Sequence, residues 1–293
     1  MRLVRFGERG MERPGALDGE GSIRDLSSVV SDIDGSTLGK QQLERIRALD
    51  LTKLPLAPAN VRLGTCVGAI PNVLCIGLNY SDHAAETNST IPSQPIVFNK
   101  HTSAISGPND PVICPPGSLQ LDWEVELGVA IGERCWHVEE DDAFDYVAGY
   151  FLANDVSERA YQIEMEGQWT KGKSYYSFAP MGPYLVTADE IPDPQDIALW
   201  LDVNGKRRQT GSTRTMVYGV RTIVAYLSRF MPLLPGDVIL TGTPPGVGLG
   251  QKPPVFLHAG DIITLGGAGL GEQRQEVLAY DAQRGQNWSR GGF

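Results

Sequence analysis

Two glutamates and an aspartate are the residues whose types and spacing point most directly to chemistry. The stretch Leu121-Asp122-Trp123-Glu124-Val125-Glu126-Leu127-Gly128-Val129-Ala130-Ile131-Gly132 places apolar side chains at the odd positions and Asp, Glu, Glu, Gly, Ala and Gly at the even ones. That alternation is the period-two pattern of a half-buried β-strand. It sets Glu124 and Glu126 side by side on one face, where like charges repel unless water or a cation lies between them. Further on, an apolar strand-like run over 146–153 ends in Asn154-Asp155-Val156-Ser157. Asp155 therefore stands where a strand gives way to a helix expected over 157–165. An Asp at such a place can equally be a helix cap or a turn residue, and an E-x-E on a strand is commonly a solvated face. Taken together, the three carboxylates form an all-oxygen donor set, which suits Mg²⁺ or Mn²⁺ better than Zn²⁺.

A second constellation is Asn79-Tyr80-Ser81-Asp82-His83-Ala84-Ala85-Glu86, which follows the apolar run 73–77. If that segment is helical, His83 and Glu86 lie three residues apart and face the same way. A carboxylate beside an imidazole orients it and raises its basicity, as a general base for water requires. A surface pair at helical spacing is the alternative. Gly172-Lys173-Ser174 follows a stretch holding Gln162 and Trp169, and taken alone its lysine reads as a solvated loop charge. Thr241-Gly242-Thr243-Pro244-Pro245-Gly246-Val247-Gly248 is no phosphate loop, because Lys252 is followed by Pro253-Pro254 where a Ser/Thr and a helix start are needed. No GxGxxG follows a strand and no GxSxG elbow is present.

The elements that must position these groups read as mostly strand. Short strands over 2–6 and near 22–26 flank a turn at 17–21, and an amphipathic helix around 40–49 follows. A Pro-containing connector at 54–58 leads to a larger region beginning near Val61. There, 73–77 is an apolar strand, and 198–203 and 206–210 form a hairpin across Asn204-Gly205. Strands over 238–241 and 262–265 each follow a Gly-Asp turn, and a helix over 219–231 is ended by Pro232 and Pro235-Gly236. Two Pro/Gly/Ser-rich stretches, 87–118 and 242–254, are expected as active-site loops. The expected division is a small N-terminal module over 1–60, a catalytic domain over 61–280 and a polar tail over 281–293.

With 293 residues, 41% of them hydrophobic, the chain can build a sizeable core. A formal charge of −10 argues against nucleic acid or an anionic membrane surface as partner. It leaves an anionic substrate open where a metal or a local lysine offsets the repulsion. No window approaches a membrane span and no signal peptide is recognisable, so the expected location is cytoplasmic. Cys66, Cys75, Cys114 and Cys135 show no close pairing and read as reduced, packed thiols.

The motifs Ile76-Gly77-Leu78-Asn79-Tyr80-Ser81-Asp82-His83-Ala84-Ala85-Glu86, Asp122-Trp123-Glu124-Val125-Glu126-Leu127, Asn154-Asp155-Val156-Ser157-Glu158-Arg159, Gly172-Lys173-Ser174 and 241–248 occur in this order. Together they resemble the fumarylacetoacetate hydrolase superfamily. The resemblance implies an α+β, predominantly β fold, a mixed β-sheet roll with a small N-terminal α/β module, assembled as a homodimer or higher homo-oligomer. It further implies Glu124, Glu126 and Asp155 as ligands of Mg²⁺ or Mn²⁺, and His83 with Glu86 as the water-activating dyad. Lys173 would act at the substrate oxygens, with Gln162, Thr243 and Lys100 binding the substrate.

Within the superfamily, Val4-Arg5-Phe6-Gly7, the pair Trp169 and Lys173, and 246–254 look most like the bacterial branch acting on 2,4-diketo-3-deoxy sugar acids such as the rhamnonate derivative. The implied reaction is hydrolysis of the C3–C4 bond of a 2,4-diketo acid to pyruvate and a hydroxy acid such as lactate. Leu78 stands where several acylpyruvate-cleaving relatives carry a basic residue. The competing readings are oxaloacetate decarboxylation or dienoate isomerisation on the same fold, a ureidoglycolate lyase, and a non-catalytic binding module.

Overall fold

The structure, a computed structural model, describes residues 1–82 and 91–281. The N-terminal part holds β1 (Arg2–Phe6), β2 (Arg13–Leu17), β3 (Ile23–Asp25) and helix α1 (Lys40–Arg47). Strands β4 (Val73–Gly77), β5 (Ile96–Lys100), β6 (Ile105–Ser106), β7 (Val112–Cys114), β8 (Leu121–Asp122) and β9 (Val125–Ile131) follow. Next come β10 (Val147–Asn154), β11 (Ser157–Glu158), the one-turn helix α2 (Thr170–Lys173) and β12 (Ala179–Thr187). The chain continues through β13 (Ala198–Val203), β14 (Lys206–Ser212), α3 (Val220–Phe230), β15 (Val238–Leu240), β16 (Ile262–Gly267) and β17 (Gly271–Ala279).

Among the described residues, ten strands join one mixed sheet in the order β3-β2-β1-β12-β10-β9-β15-β4-β5, with β6 beside β12. Five more form a second sheet, β14-β13-β16-β17-β7, and β8 pairs with β11. The sheets are mixed because β15 runs parallel to β4, β6 to β12 and β17 to β7, while the other pairings are antiparallel. The N-terminal strands are continuous with the main sheet, since Arg2 and Leu3 of β1 pair with Val186 and Leu185 of β12.

Local sequence explains several elements directly. The β13–β14 hairpin turns on Asn204 and Gly205, both at positive φ (53° and 73°), as a type I′ turn requires. Helix α3 buries Val220, Ile223, Val224 and Leu227 along one stripe. Strand β4, Val-Leu-Cys-Ile-Gly, is buried throughout between β15 and β5, as a continuous apolar run predicts. All four cysteines are free. Among the described residues no helix is long and apolar enough to cross a membrane.

Three expectations need correction. The alternating stretch 121–132 is no half-buried strand: Asp122 accepts the Trp123 amide at 2.8 Å and the strand breaks there into β8 and β9. Every residue from 121 to 132 is buried, so the polar face is not part of the outer, solvated surface. The helix expected over 157–165 is instead the short strand β11 followed by one wide helical turn, Ala160–Glu164. Glu158 pairs back to Leu121 there, and the Arg159 amide donates to Gln120 O at 3.0 Å, so bonding to β8 wins over helix initiation. The loop expected over 87–118 contains β5, β6 and β7, with β5 pairing along the whole of β4.

Candidate active site

Glu124, Glu126 and Asp155 come together. One oxygen from each lies within 4.8 Å of the other two, and all three residues are buried. The backbone arranges this: the Asp155 amide donates to Glu124 O at 2.9 Å, and the Glu124 amide donates to Asn154 Oδ1 at 3.1 Å. Asn154 Nδ2 donates in turn to Gln275 Oε1 at 3.1 Å. Adjacent residues at the end of β10 thus divide the work, Asn154 holding the Glu124 backbone and Asp155 presenting a carboxylate.

Cations surround this cluster. Lys173 Nζ donates to Glu124 Oε2 and Asp155 Oδ2, both at 2.8 Å. Lys100 Nζ donates to Asp155 Oδ1 and, at 3.0 Å, to Val156 O. Arg159 donates to Asp122 Oδ2 at 2.8 Å, pairs with Glu124 Oε1 at 2.7 Å and reaches Gln162 Oε1 at 2.9 Å. Burial opposes the Glu124 charge, but Lys173 and Arg159 outweigh it and hold the carboxyl below its ordinary range. Burial likewise opposes the Lys173 charge, and Asp155 and Glu124 overcome it, so the ammonium is held protonated. At Lys100 burial prevails and the pKa falls, although Asp155 opposes it.

Glu126 is the exception. Its described partner is the Gly242 amide, at 2.8 Å to Oε2, and among the described residues no Lys or Arg pairs with it. Burial, with Asp155 and Glu124 nearby, pushes its carboxyl well above the ordinary value. A buried carboxylate crowded by two others is a site short of positive charge. The all-oxygen donor set therefore fits a divalent cation of the Mg²⁺ or Mn²⁺ type, with positions left for water or substrate oxygens.

The cluster opens into a cavity of about 470 Å³. Glu124, Glu126, Arg159, Gln162 and Lys173 line it, together with Ile76, Leu78, Phe98, Ile163, Trp169, Val247 and Leu249. The loop residues Gly242, Thr243, Gly250, Gln251 and Lys252 complete the wall, with Gly77. Helix α2 delivers Lys173 by close approach: a Cβ on Gly172 would lie 2.5 Å from Gln162 N and 2.7 Å from its Cα. Lys173 also lies 5.1 Å from the Phe98 ring centroid, and Phe98 meets Trp169 edge to face at 5.1 Å.

Of the residues singled out in the sequence, Glu124, Glu126, Asp155, Lys173, Gln162 and Thr243 are gathered at this site. The Thr243 hydroxyl donates to Val125 O and accepts from Gln209 Nε2, both at 2.8 Å. Lys100 lies behind Asp155 and not on the cavity wall. His83 and Glu86 lie outside the described residues. The segment leading to them is anchored by Asn79, which donates to Tyr218 O and Thr241 O and accepts the Tyr218 amide. Sequence reasoning gave no role to Arg159 or Asp122. The available signal was the i,i+3 spacing of Arg159 and Gln162, and an Asp122 on the same even register as the two glutamates.

Residues 72–278 match the model of the fumarylacetoacetate (FAA) hydrolase C-terminal family. A fumarylacetoacetate hydrolase from the psychrophile Exiguobacterium antarcticum is 38% identical, with a TM-score of 0.84 over 96% of this chain and 100% of that one. A maleylpyruvate hydrolase from Sphingobium sp. SYK-6, solved with manganese(II) and pyruvate, is 32% identical, with a TM-score of 0.79 over 96% and 100%. A 2-hydroxyhepta-2,4-diene-1,7-dioate isomerase from Mycobacterium marinum is 32% identical, with a TM-score of 0.72 over 95% and 98%. The chain belongs to the fumarylacetoacetate hydrolase family, whose matched members include hydrolases and isomerases.

Proposed function

From membership of that family we propose that this enzyme is a hydrolase dependent on Mg²⁺ or Mn²⁺ that cleaves the C3–C4 bond of a 2,4-diketo acid. The products are pyruvate and a carboxylic acid. The observation that carries the reading is the convergence of Glu124, Glu126 and Asp155, with Lys173 beside them, at the buried end of a cavity. The three carboxylates would hold the cation, which when bound supplies Lewis acidity towards the oxygens of a 2-oxo acid. Lys173, kept protonated, donates to the C2 oxygen as enolate charge collects there. Gln162 and Arg159 on the same wall orient the substrate, and Thr243 bounds it from the loop side.

His83, oriented by Glu86, takes a proton from the water that adds to C4. Both residues are assigned from sequence. The C3–C4 bond then breaks with its electron pair passing to the pyruvyl fragment, and a proton is delivered to C3. A general base of this kind typically contributes about 10²–10⁴-fold. His83→Ala is therefore expected to lose that much in kcat while calorimetry still registers Mg²⁺ binding. Loss of the metal as well would remove the role given to His83.

The test is pyruvate release, coupled to lactate dehydrogenase, from acetylpyruvate, a 2,4-diketo-3-deoxyrhamnonate preparation and oxaloacetate, with Mg²⁺ or with EDTA. Metal-dependent pyruvate from the diketo acids is the expected result. Pyruvate from oxaloacetate alone would make the enzyme a decarboxylase. The likeness to the Mycobacterium marinum isomerase supports a second reading, isomerisation of a 2-hydroxydienoate, which needs no attacking water. An ultraviolet shift of such a dienoate without pyruvate would select it.

A further inference from the structure

Asp122 is wholly buried at the break between β8 and β9, two residues before Glu124, and has no part in the reaction proposed above. Its two oxygens take four donors. Oδ1 accepts the Trp123 amide at 2.8 Å and the Gly248 amide at 2.6 Å. Oδ2 accepts the Leu249 amide at 3.0 Å and Arg159 Nε at 2.8 Å. A buried carboxylate commonly does no more than satisfy nearby amides. This one joins three separate parts of the site: the strand break before Glu124, the loop bearing Val247 and Leu249, and Arg159 on the cavity wall.

The guanidinium of Arg159 is planar, so fixing Nε fixes the direction of its other nitrogens. With Nε on Asp122, Nη1 meets Glu124 Oε1 at 2.7 Å and Gln162 Oε1 at 2.9 Å. Both wall residues thus take their orientation from Asp122 through Arg159. The loop is stitched to the same strand break at further points. Trp123 Nε1 donates to Gly246 O at 3.1 Å, and the Thr243 hydroxyl donates to Val125 O at 2.8 Å. Gln209 accepts the Val125 amide at 3.0 Å and donates to Pro244 O at 2.8 Å. Gly248 permits the close approach, since a Cβ there would lie 2.7 Å from Asp122 Oδ1 and 2.0 Å from Val255 O. Residues 122–125 and 243–249 form one clamp, and Asp122 ties Arg159 into it.

We infer that Asp122 is a positioning residue: it holds Arg159 and the 243–249 loop in one arrangement, and through these two walls it sets how tightly the substrate is held. Lys173 is placed independently, by Glu124 and Asp155. Loss at Asp122 therefore falls on KM and little on kcat. The kinetic part of this inference rests on the hydrolase reading above; the ordering of the loop does not. The test uses Asp122→Asn, which keeps the size of the side chain but must turn an amide nitrogen towards N–H donors on one of its two sides. KM and kcat are measured with acetylpyruvate and Mg²⁺. Amide hydrogen exchange is read by mass spectrometry on peptides covering 246–251, with α3 as the reference.

Asp122→Asn should raise KM by about tenfold or more, as loss of a hydrogen bond to a charged group implies, with kcat within about threefold of native. Exchange over 246–251 should quicken by about tenfold while α3 keeps its native protection. A folded Asp122→Asn with KM within twofold of native, or with native exchange over 246–251, overturns the inference. A fall in kcat at unchanged KM overturns it too, because that would place Asp122 in the chemical step. Should Asp122→Asn fail to fold, Gly248→Ala keeps the carboxylate and pushes the loop away from it. The same faster exchange and raised KM are then expected, and native values of either overturn the inference. If acetylpyruvate yields no pyruvate even in the native enzyme, the hydrolase reading is at fault, and exchange over 246–251 alone decides the role of Asp122.

Discussion

Asp155 carries an ammonium on each of its oxygens, Lys100 at Oδ1 and Lys173 at Oδ2, with all three side chains almost wholly buried. Asp155→Asn leaves two buried cations short of a counter-charge, and breaking a buried pair in this way costs about 3–5 kcal/mol. Urea denaturation should show that loss, and calorimetry should show no Mg²⁺ binding. Lys100 separates two roles that the sequence alone could not. A side chain on the cavity wall would affect KM, whereas one behind Asp155 supports the carboxylate from the rear. Lys100→Met is expected to lower unfolding free energy by about 1–3 kcal/mol through the buried Asp155 oxygen it leaves unpaired, with KM within about threefold of native. A large rise in KM at unchanged stability would return Lys100 to the substrate.

Strands and turns explain both what could be read in advance and what could not. Strand β4, the β13–β14 hairpin and α3 are written in local periodicity and turn chemistry, and they stand where that chemistry places them. Alternation in 121–132 says that two faces differ, but not what covers the second one. Burial of the Glu124 and Glu126 face depends on partners such as Asn154, Lys173 and Gly242, drawn from distant parts of the chain. Strands β6 and β7 are too short to leave a pattern and exist because β12 and β17 pair with them. The site carboxylates were legible from residue type, while Arg159 and Asp122 were not, because their value lies in contacts to Glu124 and the loop. Gly172 belongs to this scale as well. Gly172→Ala forces α2 away from the turn at Ala160–Glu164, and overpacking of this kind costs about 1–3 kcal/mol. Displacing Lys173 by even 1 Å should lower kcat by about a hundredfold, and a steady-state assay on a folded, thermally characterised variant would show it.

Across the whole molecule, ion pairs bind the N-terminal segment to the rest. Asp110, between β6 and β7, accepts from Arg62 at 2.8 and 2.6 Å and from Arg9 at 2.8 Å. Burial opposes its charge, yet the two guanidinium groups hold its carboxyl down at about 2. An unfolded Asp titrates near 3.9, so folding favours the ionised form. The stabilisation is fully present above about pH 4 and is lost as pH falls towards about 2, amounting to roughly 2 kcal/mol. Asp110→Asn should lower stability at neutral pH by about that amount, and its denaturation midpoints should vary less than those of the native protein between pH 4 and pH 2. Equal acid sensitivity in the two proteins would disprove the link.

The pairing of β1 with β12 has a consequence in time. Arg2 meets its partner at Val186, which is synthesised about 180 residues later. Residues 62–64 bond to the Arg5–Gly7 end of the same edge of β1, but at a synthesis rate of about 5–20 residues per second the Arg2–Leu3 end waits roughly ten to forty seconds with one edge bare. The hairpin partner β2 covers only the other edge. Each nascent chain therefore passes through an interval in which an open, apolar strand edge is available to neighbouring chains, and yield during expression should depend on how quickly residues up to 187 are delivered.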